Sequence, residues 1–402
     1  TLNQLGENLD IKSIVPLSST SLINQAVSNA GLSDFGGGRW LQHFEVLMKA
    51  VDGEARLHLA GRVLTRCEMV LYLEARLQIV EAYKRNPDID DEHIDQPVFI
   101  TGFGRSGTTI LFEVLAQDPQ FRVAAKWEAL FPCPPPTTDS YHSDERIEKA
   151  DRVTELLESM TPEFKTAHKL GSKLPVESLE TEYSAFLSDV YPIIFQIPSY
   201  AKYLATQDLT ETIEWQKKTL KLLQYKHKAK HWLMKSPSHL PHLRKILTVF
   251  PAMRVIFTHR DPVVTADSIV SVMGMLYWLR TDQPWGDGAI ESWSLSLAKD
   301  RASAWTDIIA MIESGHLAKG HFANFHYVEF MADPLAAIRK IYRELDMTLT
   351  PEVEQRMHDF LGAKTQGKFG KHHYEQTPDG VVDHERDAYA DYQRFFGVQS
   401  EI

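Results

Sequence analysis

A glycine-rich segment at residues 99–109, "FITGFGRSGTT", has most of the spacing of a phosphate-binding loop. In the pattern G-x-x-x-x-G-K-[ST], Gly102 and Gly107 occupy the glycine positions and Thr109 occupies the hydroxyl position. Thr108 stands where the pattern has a lysine for the terminal phosphates of a nucleoside triphosphate, and the nearest cation is Arg105, inside the loop. The segment therefore predicts an anion site without the usual triphosphate lysine, and a tight turn that binds nothing is the alternative.

A second cationic position follows the segment "RVIFTH" at residues 254–259. Arg260 comes directly after it, Asp261 is placed to cap the next helix, and Pro262 suits the first turn of that helix. Ser268 lies eight residues beyond Arg260. An arginine and a hydroxyl brought together here suit a second phosphate, whereas a surface arginine beside a capping turn is the alternative. With the loop, this pair indicates two anion sites on one sheet.

Three strand-and-helix units position these residues. The β-rich run at residues 98–100 precedes the glycine loop and the helical segment "TTILFEVLAQ". In the same way, "HWLMKS" precedes "HLPHLRKIL", and "RVIFTH" precedes "DPVVTADSIVSVM". Strands that alternate with helices predict an α/β fold with a parallel sheet, helices on both faces and a ligand at the carboxyl ends of the strands.

The first 95 residues have a different pattern and predict an all-helical region. Apolar residues recur at helical spacing between residues 57 and 85, and the helix is ended by Asn86-Pro87 and the acidic run "DIDDEHIDQP". Upstream, "SSTSLINQAVSNAGL" has serine and threonine caps, and Gly31 closes a second helix. We therefore predict a helical N-terminal region at 1–95 and an α/β domain with helical insertions at 96–402.

Composition limits the classes of function. The chain has 402 residues, 43% of them hydrophobic, which is typical of a globular protein with a substantial core. Its net charge of -11 argues against a general nucleic-acid binder, since such proteins carry basic stripes. The two cysteines have no metal-ligand spacing and suit a reducing compartment, so we expect a cytoplasmic protein. No apolar run is long enough to predict a membrane span.

Three segments together resemble the sulfotransferases that use 3'-phosphoadenosine 5'-phosphosulfate (PAPS). "GFGRSGTT" resembles their 5'-phosphosulfate loop, "WLMKSPSHL" their second-strand lysine segment, and "FTHRDPVVTADS" their 3'-phosphate motif. The arginine in the loop, followed by "WEALFPCPPP", is similar to a bacterial branch of the family. The resemblance covers about residues 96–375 and implies a P-loop-NTPase-like fold. It also accounts for the missing lysine, because PAPS has no γ-phosphate.

The resemblance implies a role for each matched residue. Sulfuryl transfer should proceed in line, and negative charge should develop on the 5'-phosphate of the departing adenosine 3',5'-bisphosphate. Arg105 and Lys235 are expected to meet that charge, and Arg260 with Ser268 is expected to bind the 3'-phosphate. Lys368 and Lys371, in "KFGKHHYE", match a late basic loop over the nucleotide, with a solvated charge cluster as the alternative. The loop residues expected to bind the donor are Gly104, Arg105, Ser106, Gly107, Thr108 and Thr109.

The group that accepts the sulfate is expected to be a hydroxyl, with an amine as the alternative. A hydroxyl must lose a proton, so a general base is expected near the sulfate. Glu128, in "AKWEALFP", matches the glutamate base of the arginine-loop branch. His239 is the competitor, because the animal cytosolic enzymes use a histidine just after the second-strand lysine. The alternatives are a surface carboxylate for Glu128 and a helix-start or adenine-side position for His239.

No metal is predicted. Sulfate carries less charge than a phosphate monoester, and no aspartate of the Walker-B type is evident. The histidine pairs His239/His242 and His372/His373 have no partner cysteine or carboxylate cluster, so a solvated or core position is preferred for them.

The acceptor is the least determined partner. The aromatic segment "EYSAFLSDVYPIIF" has helical spacing, and we expect it to pack in the core. In "MGMLYWLRTDQPWGDG", Met273, Met275, Trp278 and Trp285 are candidates for the rim of an apolar pocket, which would suit a small-molecule or lipid-linked acceptor. A small-molecule or nucleotide kinase and a non-catalytic bisphosphate-binding protein remain the alternative functions.

Overall fold

In the computed structural model, which describes residues 2–162, 170–285, 289–364 and 379–401, five parallel strands form one sheet in the order β2-β3-β1-β4-β5. Central β1 pairs with β3 on one side and with β4 on the other, so the strand order reverses direction at β1. In α/β sheets of this kind, ligands bind at the carboxyl ends of the strands beside the reversal point. The strands are β1 (Val98–Gly102), β2 (Phe121–Arg122), β3 (His231–Lys235), β4 (Arg254–His259) and β5 (Phe322–His326).

The three strands that the sequence predicted are confirmed as β1, β3 and β4. All five residues of β1 and of β3 are buried, as expected of strands covered on both faces. Two further strands were not predicted. One of them, β2, has only two residues, and β5 alternates buried and half-buried positions in "FANFH".

The described chain divides into two compact units. The sheet unit comprises Ile94–Val123, Ala229–Val272 and Asp287–Ile402, and it contains all five strands. The helical unit comprises Thr1–His93, Ala124–Lys228 and Met273–Gly286. The predicted domain boundary at residue 95 stays a prediction.

Helices make up most of the remaining regular structure. The helices up to residue 224 are α1 (Leu2–Gly6), α2 (Ile11–Ile14), α3 (Ser19–Ala30), α4 (Trp40–Glu54), α5 (Leu59–Arg85), α6 (Thr108–Leu115), α7 (Lys126–Leu130), α8 (Glu145–Met160), α9 (Val190–Ile194), α10 (Pro198–Leu204) and α11 (Thr210–Gln224). Those after it are α12 (Leu243–Val249), α13 (Pro262–Trp278), α14 (Ala289–Glu313), α15 (Tyr327–Ala332), α16 (Pro334–Glu344), α17 (Pro351–Ala363) and α18 (Asp379–Phe396). Short 3-10 helices span Pro87–Ile89, Ser178–Ala185 and Pro237–His242.

The predicted helical N-terminal region is confirmed, because residues 2–95 contain helices and no strand in the part described. Ser18 caps α3 through a hydrogen bond from the backbone N–H of Ser21, and Gly31 ends that helix with φ +64°. No helix in the described residues is both long enough and apolar enough to cross a membrane.

Each unit has its own hydrophobic core. In the sheet unit, Val98 and Ile100 of β1 pack with apolar residues of α6, β5 and α16. In the helical unit, the aromatic segment at residues 182–195 packs into a core with α3, α4 and α5, as predicted. It is not one helix, because Phe186 has φ +61° and separates the 3-10 helix Ser178–Ala185 from α9.

Candidate active site

The glycine loop joins the end of β1 to the first residue of α6. Gly107 precedes α6 with φ +89°, and a Cβ atom there would lie 2.7 Å from Cδ2 of Tyr327. Arg105 has φ +69°, and its side chain is exposed. The loop therefore presents a cation in the stretch that leads into a helix N-terminus, where N–H groups and the helix dipole favour anions.

The hydroxyl of Ser106 holds the loop to the sheet. The side chain is completely buried, and its Oγ donates to the carbonyl oxygen of Phe103 at 2.5 Å and lies 2.6 Å from Oγ1 of Thr258 on β4. This side chain is thus bonded within the protein, which leaves the loop backbone and the hydroxyls of α6 as candidate ligands. Thr108 is 4% exposed and Thr109 is half-buried.

Lys235 ends β3, next to the loop strand. The backbone N–H of Ser236 donates to the carbonyl oxygen of Ile100 at 3.1 Å, so the chain beyond Lys235 is held against β1. The Lys235 side chain is only 2% exposed, and Nζ lies 6.0 Å from the ring centroid of Phe112 on α6. A buried ammonium at the carboxyl edge of a parallel sheet is placed to bind an anion.

His239 lies in the 3-10 helix Pro237–His242, which agrees with the helix-start alternative. Its ring is buried and meets the ring of Phe99 edge-on, with 5.2 Å between centroids and 82° between planes. This packing fixes the imidazole against β1.

Arg260 follows β4 and contacts the loop directly. Its Nη1 donates to the carbonyl oxygen of Arg105 at 3.2 Å, and its guanidinium carbon lies 4.5 Å from the ring centroid of Tyr327. Because the Tyr327 ring also lies where a side chain on Gly107 would be, it packs between the arginine and the loop. The structure therefore brings Arg105 and Arg260, the arginines of the two predicted anion sites, next to each other.

The predicted cap at Asp261 is confirmed. Its Oδ1 accepts a hydrogen bond from the backbone N–H of Val263 at 3.1 Å, and α13 begins at Pro262. Ser268 lies within α13, but its side chain is outside the described part of the structure, as are Lys368 and Lys371 altogether.

Glu128 belongs to the helical unit and is fully buried at the start of α7. Its Oε2 accepts two hydrogen bonds, from the backbone N–H of Ala125 at 3.0 Å and from the hydroxyl of Tyr141 at 2.9 Å. The surface-carboxylate alternative is therefore wrong. Beside it, Nζ of Lys126 forms an ion pair with Glu180 at 2.5 Å.

Three residues at this site escaped the sequence analysis: Thr258, Tyr327 and Glu401. Thr258 holds the loop through Ser106, and Tyr327 packs under Arg260. The carboxylate of Glu401 forms an ion pair with Arg260 at 3.0 Å. Thr258 lies in the segment that was predicted as a strand, whereas Tyr327 follows β5, which was not predicted, so neither Tyr327 nor Glu401 had a signal in the sequence.

Within the described ranges, no three histidine, cysteine, aspartate or glutamate side chains are grouped so that they could hold a metal ion. His372 and His373 lie outside these ranges.

Comparison with known proteins supports the fold and identifies a family. Over 286 residues, 67% of this chain and 69% of the relative, the chain is 25% identical to the omega-hydroxy-beta-dihydromenaquinone-9 sulfotransferase Stf3 of Mycobacterium tuberculosis, and the Mycobacterium bovis protein matches equally. The crystal structure of sulfotransferase STF9 from Mycobacterium avium has the same fold, with a TM-score of 0.81, 23% identity, and coverage of 98% of this chain and 99% of that chain. Sulfotransferase STF1 from Mycobacterium tuberculosis H37Rv superposes with a TM-score of 0.76 at 25% identity, covering 93% of this chain and 98% of that chain. Residues 97–351, more than half of the chain, match the sulfotransferase family, so the chain belongs to that family and is a sulfuryl-transferring enzyme.

Proposed function

We propose that the chain transfers the sulfuryl group of PAPS to a hydroxyl group of a lipid-like acceptor. The observation that carries this proposal is the hydrogen bond from Arg260 to the backbone of Arg105, which puts two cationic positions side by side at the ends of β1 and β4. PAPS has anionic groups at its 5' and 3' positions. A pair of adjacent anion sites fits such a donor better than it fits a nucleotide with a single phosphate chain.

The loop and Lys235 are assigned to the 5'-phosphosulfate end of the donor. The bond that breaks joins the sulfur to an oxygen of the 5'-phosphate, so negative charge grows on that phosphate as the sulfuryl group departs. Arg105, the buried ammonium of Lys235 and the N–H groups at the start of α6 would stabilise that charge. We assign the 3'-phosphate to Arg260 and Ser268, and Lys368 and Lys371 to the closing loop.

Glu128 is assigned as the general base that takes the proton of the acceptor hydroxyl. Its burial and its fixed hydrogen bonds support this role, since a base must be held in one orientation to work. His239 is less suited, because its ring packs against Phe99.

The acceptor is proposed to be a hydroxylated isoprenoid quinone or a similar lipid-like alcohol. The support is the similarity to Stf3, whose name specifies an omega-hydroxylated dihydromenaquinone. We also propose a bacterial, cytoplasmic enzyme, and the two cysteines support a reducing compartment, since neither is in a disulfide.

Nucleotide binding to the full chain tests the donor assignment. Adenosine 3',5'-bisphosphate should raise the melting temperature without added metal, and adenosine 5'-phosphate should do so far less. Arg260→Ala should weaken bisphosphate binding by about 30- to 1000-fold while affinity for adenosine 5'-phosphate stays within a few-fold. Arg343→Ala, at an exposed arginine of the same unit, is the matched control.

Equal affinity of Arg260→Ala and wild type for the bisphosphate would refute the 3'-phosphate assignment. Transfer of sulfur-labelled sulfate from PAPS to a panel of hydroxylated quinones, sterols and phenols then tests the acceptor. Labelling of phenols alone would refute the lipid-like acceptor.

A further inference from the structure

The last residues of the described chain are held against the sheet unit by a series of hydrogen bonds. The backbone N–H of Val398 donates to the carbonyl oxygen of Gln393 at 2.9 Å, and Nη1 of Arg386 donates to Oγ of Ser400 at 2.8 Å. Both Gln393 and Arg386 belong to α18. The segment 397–401, which we term the tail, is therefore fixed on this helix.

The tail is also fixed to the residue that follows Arg260. The backbone N–H of Glu401 donates to Oδ2 of Asp261 at 2.7 Å, and the same oxygen lies 3.4 Å from Nη2 of Arg386. The Asp261 side chain is completely buried and also caps α13. Because Asp261 is rigidly held, the backbone of Glu401 has a defined position beside Arg260.

The Glu401 side chain binds the guanidinium of Arg260 along one edge. Nε lies 3.0 and 3.2 Å from the two carboxylate oxygens, and Nη2 lies 3.0 Å from one of them. The two side chains are about a quarter exposed, at 23% and 25%. Arginine binds phosphate through the same forked arrangement, so the Nε and Nη2 edge of Arg260 can bind either a carboxylate or a phosphate.

We propose that Glu401 is an intramolecular competitor of the donor's 3'-phosphate and sets the affinity of the enzyme for 3'-phosphorylated nucleotides. The proposal rests on the proposed function of Arg260. A bound 3'-phosphate displaces the carboxylate from the Nε and Nη2 edge, because it carries more charge and more acceptor oxygens. When the bisphosphate product leaves, the carboxylate returns to the arginine, which favours release. A nucleotide without a 3'-phosphate leaves the ion pair in place and is unaffected.

Titration calorimetry with the full-length Glu401→Gln variant tests the proposal. Affinity for adenosine 3',5'-bisphosphate should rise by about 2- to 5-fold, a modest gain because the competing ion pair is partly solvated. Affinity for adenosine 5'-phosphate should not change. Glu401→Asp, one methylene shorter, should give an intermediate gain, since it keeps the charge but does not reach the guanidinium as well.

The matched control is Glu354→Gln, which removes the carboxylate of another ion pair in the sheet unit, that with Arg339. It should leave the affinity for both nucleotides unchanged. The gain in Glu401→Gln should shrink as salt rises, because the competing ion pair is itself screened.

Weaker bisphosphate binding in Glu401→Gln would overturn the proposal and show that Glu401 positions Arg260 for the phosphate. Unchanged binding would overturn it as well, since the ion pair would then not compete. The Arg260→Ala variant distinguishes an error in the competitor role of Glu401 from an error in the proposed 3'-phosphate site. If that variant binds bisphosphate poorly while Glu401→Gln gains nothing, only the competitor role is wrong; if it binds bisphosphate normally, the 3'-phosphate assignment is wrong.

Discussion

Glu128→Gln separates the two roles that this buried carboxylate combines. One oxygen, Oε2, accepts both the Ala125 N–H and the Tyr141 hydroxyl. A glutamine with its Oε1 in that position keeps both hydrogen bonds, so the free energy of unfolding should fall by less than about 1 kcal/mol. Glu128→Ala leaves both donors without this acceptor and should cost about 2–4 kcal/mol. The stability lost when both hydrogen bonds to Glu128 are removed can therefore be measured separately from any loss of activity.

The effect of Glu128→Gln on turnover should be far larger than its effect on stability. An amide has nearly the shape of a carboxylate, but it does not take up the proton of the acceptor hydroxyl. General-base help is worth roughly 10²- to 10⁴-fold, so kcat should fall by that factor, which corresponds to about 2.7–5.5 kcal/mol in activation free energy. Affinity for adenosine 3',5'-bisphosphate should stay within about twofold, because the base contacts the acceptor side of the reaction.

The assay is steady-state transfer of labelled sulfate from PAPS to the best acceptor of the panel, with the melting temperature measured on the same preparations. Tyr141→Phe is the control that removes one hydrogen bond from the same oxygen but leaves the carboxylate. It should retain more than about a tenth of wild-type kcat. A Glu128→Gln enzyme with kcat within fivefold of wild type would refute the base assignment, and a simultaneous loss of activity in His239→Asn would transfer it to His239.

Three further outcomes are expected. Arg105→Ala should lower kcat more than about 100-fold but weaken bisphosphate binding less than about fivefold, because its charge matters most in the transition state. If kinetics and calorimetry show equal losses in kcat and in bisphosphate affinity, Arg105 is a binding residue only. Gly102→Ala should lower the free energy of unfolding by about 2–4 kcal/mol, as measured by chemical denaturation. The reason is that Gly102 has φ +152° and a Cβ atom there would lie 2.4 Å from the backbone oxygen of Thr258. A decrease of less than about 0.5 kcal/mol would contradict this packing. Burial raises the pKa of Glu182 to about 8 from an ordinary value of 4.5, and nearby Asp189 makes a smaller contribution in the same direction. The protonated carboxyl therefore contributes its full stabilisation below pH 4.5, and this stabilisation is lost as the pH rises toward 8. Relative to Glu182→Gln, wild type should lose roughly 3–5 kcal/mol between pH 4.5 and 8, and a constant difference across that range would argue against a protonated buried carboxyl.

The parts of the fold that the sequence predicted are those specified by local pattern. β1 and β4 are short apolar runs bounded by the glycine loop and by Asp261-Pro262, and both were assigned correctly. β5 was missed because polar side chains interrupt it. Asn324 is accommodated there by a hydrogen bond to His259 at 2.9 Å, a contact between residues far apart in the sequence.

In the candidate site too, some residues are identified by local sequence pattern and others only by contacts between distant parts of the chain. The loop and Arg260 were found from local pattern, but their direct contact depends on the pairing of β1 with β4. Glu401 lies 141 positions from Arg260, and no spacing rule links two such residues. The cap at Glu128 was also hidden, since the position before α7 is Ala125, which has no side-chain acceptor.

The pairing of β1 has a consequence for how the enzyme is made. Val98 pairs with Leu233 on one side and with Arg254 on the other, so β1 has neither neighbour while the first half of the chain is being synthesised. Long-range parallel pairing is slow, and an unpaired apolar strand is prone to aggregate. The glycine loop, although complete in sequence by residue 109, has no sheet to hold it until β3 and β4 have left the ribosome. Nascent chains should therefore gain nucleotide affinity only after β4 has emerged from the ribosome, and chains stalled before that point should depend on chaperones.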